Sequence, residues 1–97
     1  MAIVNFKQTD LQDFIEKEIL PKNCQWQPVA KIALKKLDMI DYANSLEDLR
    51  QPPGNRLERL KGDLHGYYSI RINDQWRIIF RWSENGATEV EIIDYHF

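Results

Sequence analysis

Hydrophobic residues follow two rhythms along this chain. In the first half they recur at three- and four-residue spacing: Leu11, Phe14, Ile15 and Ile19, then Val29, Ile32, Ala33, Leu34, Leu37 and Ile40. That spacing predicts two amphipathic helices. Thr9 or Asp10 caps the first and Pro21 stops it, while Pro28 opens the second, with Lys31, Lys35, Lys36 and Asp38 on its outer surface. A short strand at residues 3–6 precedes them. Ser45-Leu46-Glu47-Asp48-Leu49 reads as a capped single turn, and Gln51-Pro52-Pro53-Gly54-Asn55 as a loop, because two prolines and a glycine suit neither helix nor central strand.

In the second half the rhythm changes to alternation. Residues 57–61, 67–73, 76–82 and 88–95 predict four strands joined by short turns, at residues 62–66, 73–75 and 83–86. Alternation places Tyr68, Ile70, Ile72, Trp76, Ile78, Phe80, Trp82, Val90 and Ile92 on one face, against the helices. Tyr67, Ser69, Arg71, Arg77, Ile79, Arg81, Glu89, Glu91, Ile93 and Tyr95 then form a second face, expected to lie open to a ligand. The predicted class is α+β: a small antiparallel sheet with two N-terminal helices packed on one face, forming a single domain over residues 1–97.

Composition narrows the function. With 97 residues, 43% of them hydrophobic, the chain suits one globular domain and has no apolar run approaching the roughly 20 residues of a membrane span. No secretory leader pattern opens it, so the cytoplasm is the expected location and no membrane partner is expected. A single Cys24, with no second thiol or clustered histidines, predicts neither a disulfide nor a metal site. No cofactor motif occurs: there is no glycine-rich phosphate loop and no nucleophile elbow.

The net charge of −2 conceals an asymmetry, because residues 50–82 hold seven Lys or Arg against three acids while residues 83–97 hold four acids and no Lys or Arg. A local cationic surface of that kind can engage phosphates without making the whole protein basic. Arg71, Arg77 and Arg81, with Arg59 and Lys61 on the preceding strand, are close enough in the expected sheet to converge on a polyanion. They equally suit a solvated face on which arginines pair with Glu89 and Glu91. Asp94-Tyr95-His96 offers a carboxylate, a phenol and an imidazole at the end of the last strand, either to move a proton or as an exposed terminus. His65, in a turn, is expected to be structural or solvated. Of Trp26, Trp76 and Trp82, an exposed one counts toward base stacking and a buried one only toward the core.

Pro52-Pro53-Gly54-Asn55-Arg56-Leu57-Glu58, Leu60-Lys61-Gly62-Asp63, Tyr68-Ser69-Ile70-Arg71-Ile72-Asn73, Trp76-Arg77-Ile78 and Asp94-Tyr95-His96 together resemble the HigB branch of the RelE-like bacterial toxins. The motifs span about half of the chain in matching order; the N-terminal half agrees in its helical character. The resemblance implies a RelE-like fold and the toxin of a type II toxin–antitoxin pair. Such a toxin, also called a plasmid maintenance killer protein, occupies the A site of the small ribosomal subunit and cuts mRNA during translation, without a metal. It further implies a helix-turn-helix antitoxin of the HigA type that neutralises the toxin and represses their operon, so that contact with operator DNA is indirect.

In the same comparison Arg77 and Lys61 fall at positions that contact phosphate. Tyr95 and His96 fall at C-terminal site positions, with His96 as the proton carrier, Tyr95 as a positioner or stacking surface and Asp94 orienting His96. Arg59, Arg71 and Arg81 are expected to bind RNA. Glu58 stands where some relatives carry a histidine; it serves either as a general base or as an ion-pair partner of Arg59 or Arg77. That departure motivates an alternative, a catalytically silent relative that binds an antitoxin and tunes their operon. A third reading is a small sheet module that docks RNA or a protein helix without cutting.

Overall fold

The computed structural model describes residues 3–95, so Met1, Ala2, His96 and Phe97 lie outside the description. Helices α1 (Asp10–Lys17), α2 (Ala30–Tyr42) and α3 (Leu46–Arg50) precede strands β1 (Glu58–Arg59), β2 (Tyr68–Arg71), β3 (Trp76–Ser83) and β4 (Gly86–Asp94). The strands pair antiparallel in the order β1-β2-β3-β4. The α+β architecture is therefore the expected one. Residues 3–6 add a partial outer strand through parallel bridges from Ile3 to Ala87 and from Phe6 to Val90.

The helices bury their apolar stripes against one face of the sheet. Leu11 and Phe14 from α1 and Ala33, Leu37 and Ile40 from α2 join Ile70, Ile72, Trp76, Ile78, Phe80, Val90 and Ile92 in one core. Phe14 meets the edge of Trp26 at 4.9 Å. Asp41, buried on α2, accepts the Ile3 N–H at 3.4 Å and ties the first residues to this layer. Ile19 and Ile32 depart from the expected stripes and are exposed. For Ile19 the cause is an early helix end. Glu18 takes a left-handed φ of 56° and its N–H bonds to the Phe14 carbonyl at 2.9 Å. Pro21 disfavours helical geometry at Leu20, so the last apolar turn cannot form. Neither Thr9 nor Ser45 makes the expected capping bond. Pro28 opens a 3-10 turn, Gln27–Val29, ahead of α2 rather than α2 itself.

Two features of the sheet break simple alternation. Opposite Ile79 and Arg81 stand Glu91 and Thr88, so Glu89 and Val90 together face Phe80 in a β-bulge. Glu89 adopts φ 53°, and its N–H donates to Asn5 Oδ1 at 2.7 Å. The extra residue reverses the alternation, which is how Ala87 and Val90, three apart, are both fully buried. β1 is the second feature: it holds two residues rather than five, because the chain leaves the sheet through a 3-10 turn, Gly62–Leu64, with Gly62 at φ 65°.

The second face of the sheet is not the open surface its alternation suggested. Ile79, Ser69, Tyr67 and Arg77 are all buried. Leu60, just before the 3-10 turn, and Leu64, its last residue, pack with Tyr67, Ile79, Ile93 and Tyr95 into a smaller apolar cluster. Covering the middle of this face excludes water from β3 on both sides.

Asn55, in the proline-rich loop, is fully buried. Its side chain donates to the Leu49 carbonyl at 3.1 Å and accepts from Lys36 Nζ. Burial, with the charges of Lys35 and Arg71 nearby, holds the Lys36 ammonium below the usual lysine range. An Asn55→Ala protein strands the Leu49 carbonyl and the Lys36 ammonium, an expected loss of about 1–3 kcal/mol. Urea denaturation reads this directly; a midpoint equal to that of the native chain refutes it.

Candidate functional site

Adjacent strands present the candidate residues at register positions that can be followed one by one. Glu58 on β1 lies opposite Ser69 on β2, and Arg71 on β2 lies opposite Arg77 on β3. Arg77 points back along β2 rather than outward. Its Nη1 donates to Ser69 Oγ at 2.9 Å and to the Arg56 carbonyl at 3.4 Å, and its Nη2 lies 3.5 Å from Glu58 Oε1. Arg56, two residues before β1, holds a left-handed φ of 45°. The guanidinium carbon also lies 5.6 Å from the centre of the Tyr95 ring.

Burial separates the two charged partners. The Arg77 side chain is 9% exposed and that of Glu58 44%, so a fixed inner cation carries an outer carboxylate that water and substrate can reach. A guanidinium suits this place because its planar fork can serve a hydroxyl, a carbonyl and a carboxylate together, which an ammonium cannot do in one geometry. Glu58 Oε2 makes no hydrogen bond or ion pair among the described residues, which leaves the half-exposed carboxylate a potential proton acceptor. Tyr95 is held by its backbone N–H to the Gln75 carbonyl at 2.8 Å, and its ring packs on the small apolar cluster. Asp94 pairs with Trp76 on the opposite side of β4 and accepts from Gln75 Nε2 at 3.0 Å. The expected role of His96 lies outside the described residues.

The remaining cations do not converge with Arg77, contrary to the expected single cluster. Arg71 turns to Asp74 in the β2–β3 turn, where its hydrogen bond and charge hold the Asp74 carboxyl below the usual range. Arg81 binds Glu89 Oε2 through Nε at 3.0 Å and lies 4.4 Å over the Tyr67 ring; the Tyr67 hydroxyl donates to Glu89 Oε1 at 3.1 Å. The bulge at Glu89 sets up this second arrangement by turning its carboxylate toward both groups. Arg59 lies on the edge strand, 5.8 Å over the Tyr68 ring. Lys61 is exposed, has no ion-pair partner among the described residues, and shares a groove with Arg59 rather than with Glu58 and Arg77.

Local opposite charges capture the arginine heads before they can meet, although Arg71 and Arg77 are Cα partners and Arg81 lies further along the same face of β3. Ser69 is the residue that sequence reasoning left unassigned. Its only signal was a small hydroxyl on the same face as Arg77 in a strand of large side chains. No group of three or more His, Cys, Asp or Glu could hold a metal among the described residues, and the arrangement is one of fixed charge, carboxylate and phenol.

Comparison with known proteins identifies relatives of the whole chain. The model of the HigB-like RelE-like toxin of type II toxin–antitoxin systems matches residues 4–96. The chain is 38% identical over 88 residues to Toxin HigB-1 of Vibrio cholerae serotype O1, covering 87% of each chain. It is 33% identical over 94 residues to Endoribonuclease HigB of Proteus vulgaris, covering 97% of this chain and 99% of that one. Among solved structures, the YoeB/ParE toxin from Agrobacterium tumefaciens superposes with a TM-score of 0.53 at 26% identity, over 100% of both chains. The YoeB-YefM complex from Staphylococcus aureus superposes with a TM-score of 0.56 over 100% of this chain and 98% of that one, and at 22% identity it speaks for the RelE-like fold alone.

Proposed function

Because the chain belongs to the HigB-like family of RelE-like toxins of type II toxin–antitoxin systems, we propose that it is an endoribonuclease that cuts mRNA in the ribosomal A site during translation and so arrests growth. The observation that carries this reading is the buried Arg77 bearing an accessible Glu58, with the Tyr95 ring alongside. Cleavage of RNA without a metal needs a base for the 2′-hydroxyl, positive charge for the phosphorane and an acid for the leaving oxygen.

Glu58 takes the proton of the 2′-hydroxyl as that oxygen attacks the adjacent phosphorus. Arg77 orients Glu58 and lays a fixed positive charge beneath the reacting phosphate, and Lys61 reaches the phosphate from the neighbouring groove. Tyr95 positions the nucleotide. His96, oriented by Asp94, gives a proton to the departing 5′-oxygen as its bond to phosphorus breaks, leaving a 2′,3′-cyclic phosphate. Arg59, Arg71 and Arg81 add positive potential along the path of the RNA, although Asp74 and Glu89 neutralise the last two in the free protein. In this reading the ribosome presents the RNA in line to the half-exposed Glu58. The partner is an antitoxin of the helix-turn-helix HigA type, through which the pair contacts operator DNA, and the toxin acts in the cytoplasm with the translating ribosomes.

A specific observation favours the second reading, a silent antitoxin-binding relative: Asp74, Glu58 and Glu89 each engage a sheet arginine. Primer extension on a reporter mRNA after brief induction in cells separates the two. Cuts are expected within the translated frame and are expected to vanish when the start codon is removed. Soluble native protein that makes no cuts and leaves growth unchanged overturns the nuclease reading.

A further inference from the structure

Arg59 and Lys61 differ from the other cations of the sheet. Arg71, Arg77 and Arg81 each bind a carboxylate of this chain, whereas Arg59 and Lys61 are exposed and have no ion pair among the described residues. Both line a groove of about 470 Å³ at the edge of the sheet, with His65, Tyr68 and Trp82, and no Asp or Glu lines it among the described residues. A groove with free cations and no competing acid selects an anion.

The aromatic lining narrows the anion. Trp26 and Trp76 are buried, while Trp82 is only partly so and lines the groove. Tyr68 and Trp82 flank Phe80, stacked and edge-on respectively, each with ring centres 6.3 Å from it. Phe80 is fully buried, so the two outer rings are held in place before any ligand arrives. The Arg59 guanidinium already sits over the Tyr68 ring. Gly66, also in the lining, has φ +93°, and a Cβ there would come within 2.5 Å of Arg81 Nη1. The positive φ favours glycine at this point of the wall, and the Arg81 guanidinium packs against it.

We propose that this groove is a subsite for one unpaired nucleotide of the RNA, outside the scissile phosphate. Its phosphate lies on Arg59, leaving Lys61 to the scissile phosphate, and its base stacks on Trp82 beside Tyr68. An acidic peptide could satisfy the cations but would leave the aromatic faces unused, which favours the nucleotide. The subsite rests on the reading of the chain as an RNA-cutting toxin, and it extends the bound RNA past the Glu58 and Arg77 centre along the edge strand.

The test titrates a short single-stranded 2′-O-methyl RNA, which cannot be cut, into the full chain at low salt while following tryptophan emission. Saturable quenching is expected in the native protein and is expected to disappear in Trp82→Phe, whose remaining tryptophans are buried. Trp82→Ala, read through the anisotropy of a fluorescein-labelled copy of the RNA, is expected to weaken binding about 5- to 150-fold, the loss of one stacked base. Arg59→Ala, an exposed change that leaves the fold intact, is expected to lower the slope of log affinity against log salt by about 0.7. Unchanged affinity and salt slope in the Arg59→Ala protein, or equal binding of an acidic peptide of matched charge through these residues, overturns the subsite. Because the probe cannot be cleaved, groove binding without cuts in cells counts against the nuclease reading alone, and cuts without groove binding count against the subsite alone.

Discussion

An Arg77→Lys protein is expected to cut translated mRNA about 10²- to 10³-fold more slowly than the native chain, the loss typical of removing one preorganised donor from a reacting phosphate or oxyanion. The substitution keeps a positive charge, so the expected loss comes from geometry. Three acceptors converge on the guanidinium: Ser69 Oγ, the Arg56 carbonyl and Glu58 Oε1. An ammonium on a flexible stem cannot hold Ser69 and Glu58 in that fork, and Glu58 is released toward water. The effect on folding is expected to be smaller, about 1–3 kcal/mol, because the buried Ser69 hydroxyl loses a donor while the half-exposed Glu58 is rehydrated. Ser69→Ala, which leaves the charge and removes its anchor, is expected to fall between the two in cleavage. Rate constants from a translating extract check the ordering, and an Arg77→Lys protein that cuts at the native rate removes Arg77 from the mechanism.

What could be read from the residues, and what could not, divides along the range of the forces involved. Period-two alternation is a backbone property, and it placed Ile70, Ile78, Phe80 and Ile92 on the helix side as found. The bulge at Glu89 escaped it because the residue is neither Gly nor Asn, and its left-handed backbone is held by a side chain 84 positions away, Asn5. Alternation also grouped Arg71, Arg77 and Arg81 on one face, which is true of their Cα atoms. Which carboxylate captures each head depends on turns and bulges: Asp74 lies in a turn, Glu89 in a bulge, and Glu58 on a strand two residues long. The Glu58 and Arg77 pair was legible as one of two pairings, and Tyr95 beside Arg77 was legible outright. Ser69 was not, since a buried hydroxyl is given meaning only by the arginine that reaches it. The covered second face was missed for a related reason, because Leu64 reaches it from a turn that alternation does not describe and packs there with Leu60. Asn55 shows the reverse case: a motif residue among the candidate site segments that serves the fold through Leu49 and Lys36.

Glu58→Gln is expected to lower cleavage about 10²- to 10⁴-fold, the contribution of a positioned proton acceptor. The amide keeps the shape and an oxygen toward Arg77 but cannot take the 2′-hydroxyl proton. Glu58→His makes the sharper comparison, because it sets a base of different strength at the same point of the sheet. A neutral imidazole is a better base near neutrality than an ordinary carboxylate, by about two pH units. The Glu58→His protein is therefore expected to cut at least as fast as the native chain at pH 7.5. Protonation would place a second positive charge beside Arg77, which disfavours the charged form and keeps the imidazole neutral and competent down to its ordinary range of about 6.5 or somewhat below. The ratio of Glu58→His to native rates should accordingly rise as pH increases from 5.5 to 7.5. Taking the ratio cancels the contribution of every group that both proteins share. A Glu58→Gln protein with native cleavage would make Glu58 a structural partner of Arg77 and move the base elsewhere on the ribosome–toxin surface; a flat ratio for Glu58→His would place the proton transfer outside this position even if the glutamine protein were slow.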